Sequence, residues 1–144
     1  MSVRTSDKIE APELPWFPKE KEIAAILALE DVGRYPYFIK KAADEEVLWS
    51  LWTEAGWVLA GDGQGHELVP VWPHEKFAAL CAKDEWVGAV PKSIELDAWL
   101  ERWIPGMERD GRQVAVFPTP GNRGIVIEPA RLASDLREEL LHYE

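Results

Sequence analysis

The chain is short of the residues on which most small-protein chemistry rests. Of its 144 residues, one is cysteine and three are histidine. A lone Cys81 excludes an intrachain disulfide and a thiol-rich metal site, and it fits a reducing, cytoplasmic setting. His66, His74 and His142 never fall at metal-ligand spacing, so no metal is expected. None of the serines (Ser2, Ser6, Ser50, Ser93, Ser134) sits on a strand–turn–helix elbow that would present a nucleophile. Basic residues are scarce as well: 16 Lys and Arg stand against 26 Asp and Glu, a formal charge of −10. Nucleic acid and anionic lipid are bound by neutralising phosphates, so neither is an expected partner. Long apolar runs are missing too. The longest aliphatic stretch, Ile23–Leu29, is too short to span a bilayer and lacks the cationic lead of an export signal. The expected location is therefore cytoplasmic.

What is present is core material. Hydrophobic residues make up 47% of the chain, enough for one domain without disulfides or a structural metal, and this excludes disorder as the main description. Residues 1–18, polar and then punctuated by Pro12, Pro15 and Pro18, read as a tail; residues 19–144 read as a single domain. Apolar spacing predicts helices over Lys19–Glu30 and Arg34–Ala43, the second with Tyr35, Phe38, Ile39 and Ala42 on one face. Val47–Thr53 reads as a strand apolar on both faces. Trp57–Ala60 and Glu67–Trp72 follow as strands, the latter expected at an edge or with a bulge because Pro70 cannot donate to a ladder. Pro73 is expected to open a helix with Phe77, Leu80 and Cys81 inward. Trp86–Pro91 reads as a short strand. Leu96, Trp99, Leu100, Trp103, Ile104 and Met107 then mark one face of a helix from Glu95 to Arg109, kinked or stopped at Pro105. Val114–Phe117 and Ile125–Ile127 are strands, and Pro129 opens a last helix with Leu132, Leu136, Leu140 and Tyr143 inward.

Two stretches echo one another at a constant offset of 56 residues. Val58, Gly65, Val69, Val71, Pro73 and Leu80 match Val114, Gly121, Ile125, Ile127, Pro129 and Leu136. Each stretch reads strand, glycine turn, strand, proline, helix. The expected fold is α+β: a mixed or antiparallel sheet built from two hairpin-plus-helix units, with helices packed on it.

The ordered words Arg34-Tyr35-Pro36-Tyr37-Phe38-Ile39-Lys40-Lys41, Val47-Leu48-Trp49-Ser50-Leu51, Gly56-Trp57, Leu68-Val69-Pro70-Val71-Trp72-Pro73 and Val116-Phe117-Pro118-Thr119-Pro120 carry a resemblance. Over about residues 33–137 the chain resembles the bacterial domain-of-unknown-function family 2750. That resemblance brings no assigned chemistry and no known catalytic residues; no cofactor is expected. The hairpin-plus-helix units are also similar in architecture to the SseB family of secretion-associated proteins.

Chemistry has few footholds. Cys81 shares a helical face with Phe77 and Leu80, as an inert buried thiol does. Gly61-Asp62-Gly63-Gln64-Gly65 imitates a phosphate loop, yet no Gly-Lys-Ser/Thr follows and a hairpin turn is the expected form. Two places invite a functional reading. At Trp72-Pro73-His74 a strand meets a helix start, whose free N–H groups suit an anion or a partner carboxylate. Its counterpart is Glu128-Pro129-Ala130-Arg131, and pseudo-symmetry would bring the two ends together. The second place is aromatic. Eight tryptophans are too many to bury easily. Trp72 and Trp86 fall at element ends and, with Phe117, Pro118 and Thr119, form a candidate recognition patch; peripheral core is the alternative. The preferred function is a non-catalytic, cytoplasmic protein-binding module, an immunity or regulatory partner. The alternative is a small enzyme or ligand-binding domain working at Trp72–His74. A deep pocket converging on His74 would favour chemistry, and a flat aromatic patch ringed by acids would favour protein binding.

Overall fold

The computed structural model describes residues 16–143. Most of the expected 1–18 tail lies outside them. Two helices lead, α1 (Glu20–Leu27) and α2 (Asp31–Glu45). No residue of α1 is fully buried; Ile23, Ile26 and Leu27 lean on the core. Of the stripe expected in α2, Phe38, Ile39 and Ala42 are buried and Tyr35 is partly so; Ala43 and, unexpectedly for a charged residue, Arg34 are buried with them. The helix starts before Arg34 and accommodates Pro36 in its second turn. One turn back lies the exposed residue Val32, whose carbonyl receives no N–H from the proline.

Seven strands form two sheets: β1 (Val47–Thr53), β2 (Gly56–Trp57), β3 (Ala60–Gly61), β4 (Glu67–Val71), β5 (Val90–Glu95), β6 (Gln113–Val116) and β7 (Ile125–Ile127). The first sheet has order β2-β1-β5 and the second β3-β4-β6-β7. The α+β class holds, and the two glycine-turn hairpins, β3–β4 and β6–β7, do share a mixed sheet through the parallel pair β4–β6. The expectation of a single strand over Trp57–Ala60 is corrected. Trp57 pairs with Trp52 in one sheet and Ala60 with Leu68 in the other, so the chain changes sheets within four residues. Trp86 also leaves its expected strand, because Asp84–Trp86 is a 3-10 turn and β5 begins only at Val90.

Pro70 is a third correction. β4 is an interior strand, paired on both sides. Yet β3 is two residues long and matches only Glu67 and Leu68. Pro70 therefore faces beyond its end, where no ladder partner asks for a donor. There the Ser50 hydroxyl donates to the Pro70 carbonyl at 2.6 Å. One step on, Trp72 and Trp49 exchange backbone bonds of 2.8 and 2.9 Å, which stitches the sheets together.

α3 (Glu75–Leu80) follows, and its N-cap is His74 rather than Pro73, which precedes the helix. Phe77, Ala78 and Cys81 turn inward while Leu80 is exposed. The long helix comprises α4 (Leu96–Ala98), a π-helical turn (Trp99–Trp103) and α5 (Ile104–Asp110). Within it the Ile104 N–H reaches back five residues to the Trp99 carbonyl. This wide turn lies just ahead of Pro105, whose ring would otherwise press on the carbonyl four residues back, and the helix continues past it. Gly111 closes the helix at φ 70°. In α6 (Pro129–Leu140) Leu132 and Leu136 are wholly buried, whereas Tyr143 stands half exposed in a terminal 3-10 turn.

β4 and β6 run parallel and end side by side at Val71 and Val116. β7 runs back, pairing Ile127 with Val114. The two strand-to-helix junctions, Trp72–His74 and Glu128–Arg131, thus lie at opposite ends of the sheet. They do not approach one another.

Candidate functional site

Where β4 and β6 end together, three segments converge: Trp72–His74, the stretch Cys81–Trp86 after α3, and the β6–β7 loop from Phe117 to Gly124. The loop is held at nearly every step. Phe117 leaves the strand in the left-handed region at φ 60°, an unfavourable conformation for a bulky residue. Its N–H donates to the Val71 carbonyl at 2.8 Å. Its carbonyl accepts from Arg34 Nε at 3.2 Å, and its ring packs on Phe77 at 4.8 Å. The Pro118 carbonyl accepts from Trp72 Nε1 at 2.8 Å and Cys81 Sγ at 3.4 Å. Thr119 and Asn122 exchange backbone bonds of 2.9 and 3.0 Å. Asn122 Oδ1 accepts from Arg34 Nη2 at 2.8 Å and from the Gly124 N–H at 2.7 Å. Gly124 is required there: its φ is +84°, and a methyl group would sit on the Val116 carbonyl oxygen.

Arg34 is the residue that sequence reasoning missed. It is 2% exposed and grips three neutral oxygens, those of Leu29, Phe117 and Asn122. Burial lowers its pKa, and Asp31 works against that shift. A signal existed: Arg34, Phe38 and Ala42 recur every four residues on the buried face of α2.

Between the 81–86 and 118–123 segments opens a cleft of about 390 Å³. Ala60, Gly61 and Ala115 contribute small side of the lining, Trp86, Pro118 and Pro120 its apolar walls, and Lys83, Asp84, Glu85, Thr119, Asn122 and Arg123 its polar groups. Asp84 also sits at positive φ, 55°. Among the described residues three non-glycines adopt this region, and two of them, Asp84 and Phe117, flank the cleft. Arg123 Nη1 donates to the Asp62 carbonyl at 3.1 Å, so the glycine-rich β3–β4 turn braces the cleft's outer rim. The Asp62 carboxylate itself is turned into that turn, accepting from the Gln64 and His66 N–H groups and pairing with the His66 ring.

The expected site residues separate into three places. Trp86 and Thr119 line the cleft. Trp72 and Phe117 are wholly buried behind it and offer no ring to a partner, though Trp72 backs Trp86 edge to face at 6.2 Å. His74 is buried too. Its Nδ1 accepts the Lys76 N–H at 3.1 Å. Trp16 and Phe17 pack edge to face against its ring, at 5.2 and 4.9 Å. Burial lowers the His74 pKa, and Lys76 adds to the fall. Arg131 lies at the far end of the sheet, exposed and 3.4 Å from Asp135. Cys81 borders the cleft as a protonated thiol, its pKa pushed up to about 11 by burial. No group of three metal-ligating side chains gathers among the described residues, and no helix there is long and apolar enough to cross a membrane.

Comparison with known proteins gives one finding. The family model described as protein of unknown function (DUF2750) matches residues 35–136, a span that holds both walls of the cleft. No curated protein and no solved structure matches the chain.

Proposed function

The chain belongs to the DUF2750 family, and from that premise we propose that it is a non-catalytic binding module that engages a protein partner through the cleft between residues 81–86 and 118–123. The observation that carries this reading is the rigidity built around the cleft's wall. A left-handed Phe117, a clamped Asn122 and a doubly bonded Pro118 carbonyl fix the loop before anything arrives. A wall set in advance lowers the ordering cost of association. Chemistry at Cys81 finds little support, since a thiol with a pKa of about 11 holds almost no thiolate near neutrality. His74 is buried and spends its Nδ1 on the Lys76 N–H, the cap of α3. A regulatory or immunity role would follow from the identity of the protein bound.

The test is site-specific photo-crosslinking in the native host. A benzophenone side chain at Thr119 is expected to capture a discrete protein. The same group at Arg131, at the other end of the sheet, is expected to capture none. Gly121→Phe should abolish the product. Gly121 has open space where a side chain would begin and needs no special backbone angle, so that variant fills the cleft without disturbing the fold. Equal capture from Arg131, or capture that survives Gly121→Phe, would overturn the assignment.

A further inference from the structure

We propose that the cleft recognises a carboxylate carried by the partner, and that Asn122 sets this preference; the inference rests on the cleft being the contact site. The side-chain amide of Asn122 has only one possible orientation. Its inner atom receives N–H groups from Arg34 and Gly124 at 2.8 and 2.7 Å, so that atom is the oxygen. The NH2 group is therefore what Asn122 brings to the cleft it lines, and it meets no acceptor among the described residues. The Thr119 hydroxyl beside it is likewise unengaged there. Lys83 stands on the facing segment, and Arg123 spends only Nη1 on the Asp62 carbonyl. The wall is a set of donors.

Behind that wall lies a buried cation. The three hydrogen-bond partners of Arg34 are neutral oxygens, so its charge is not neutralised by a bonded carboxylate. In a poorly solvated setting such a charge polarises the amide it holds and strengthens donation from the other side. Asp84 and Glu85 also line the cleft and oppose an anion. They disfavour a multiply charged group such as phosphate more than a single carboxylate, which can settle against Asn122 and Thr119 while its apolar part meets Trp86. A peptide C-terminus and an acidic side chain offer the same chemistry.

The experiment is a ¹⁵N–¹H NMR titration of the full chain with three peptides: acetyl-Gly-Phe as the free acid, acetyl-Gly-Phe amide, and acetyl-Glu-Phe amide. The expected result is movement of the Thr119, Asn122 and Arg123 amides and the Trp86 indole with one or both acids and none with acetyl-Gly-Phe amide. Which acid binds tells C-terminus from side chain. Asn122→Asp keeps an oxygen toward Arg34 and Gly124, so melting should not fall, but it replaces the donor by an acceptor. Affinity for the acids should drop about tenfold or more. Three results would overturn the inference: equal binding of the neutral amide, no cleft shifts with either acid, or undiminished binding by the folded Asn122→Asp variant. Capture from Thr119 that persists despite any of these would leave the cleft as the contact site and remove only the carboxylate.

Discussion

His74 shows how a residue chosen for chemistry can serve the fold instead. Its neutral ring caps α3 by accepting the Lys76 N–H, with rings of Trp16 and Phe17 against it. Burial holds its pKa below the ordinary 6.5, Lys76 adds to the fall, and Glu75 and Glu22 oppose it. The unfolded chain therefore takes up this proton first. Above pH 6.5 the group leaves stability unchanged; as pH falls through 6.5 toward the folded value, protonation favours unfolding. Asparagine is also a good N-cap and carries no such proton. His74→Asn is thus expected to flatten the fall in melting temperature between roughly pH 7 and pH 5. An unchanged slope would assign the acid sensitivity to carboxylates elsewhere. Residue identity alone made His74, Trp72 and Phe117 look available because each ends an element. Their burial was not legible, since what covers them is distant in sequence: Arg34 reaches Phe117 across 83 positions and Trp72 reaches Pro118 across 46.

Elements were legible in proportion to their length. The helices of α2, α5 and α6 followed their apolar spacing, and β1 runs over Val47–Thr53 as expected. Strands of two residues, β2 and β3, are too short to express a period, so the change of sheet between Trp57 and Ala60 left no pattern to read. Prolines carried position without side. Pro70 sits past the end of β3, and Pro91 serves an edge. In β1, Trp49 and Leu51 bond away from β5, toward Trp72 and Val58. Alternation then directs Leu48, Ser50 and Trp52 to β5, where they pair with Ile94, Lys92 and Val90. Pro91 therefore faces outward on an unpaired edge and withholds a donor. Pro91→Val is expected to produce concentration-dependent self-association, read by light scattering after size exclusion. A variant that scatters as the parent does at every concentration would show that the proline does not guard this edge.

The two sheets share one core at the scale of the whole molecule. Leu48, Leu51 and Ile94 of the first sheet join Val69, Val71, Val114 and Val116 of the second in a single buried cluster. The Trp49–Trp72 exchange adds a backbone link between them. Neither sheet can lose its partner without exposing that cluster, so thermal unfolding is expected as one transition, with calorimetric and van't Hoff enthalpies equal. Two resolved transitions would mean that the sheets are separate cooperative units. The 56-residue echo in the sequence correctly indicated paired hairpins in one sheet. It could not indicate their arrangement: the hairpins join by a parallel β4–β6 pair, which sends the second helix junction to the opposite end.

Arg34 has a last consequence, for how such a chain can change over generations. One planar group answers to α1's end, the left-handed Phe117 and Asn122 at once. Lysine cannot divide a single ammonium among three oxygens in that fixed fork, so position 34 has no gentle intermediate. A lineage that discards this arginine must rebuild its loop in the same stroke, and the two segments are bound to drift together or not at all.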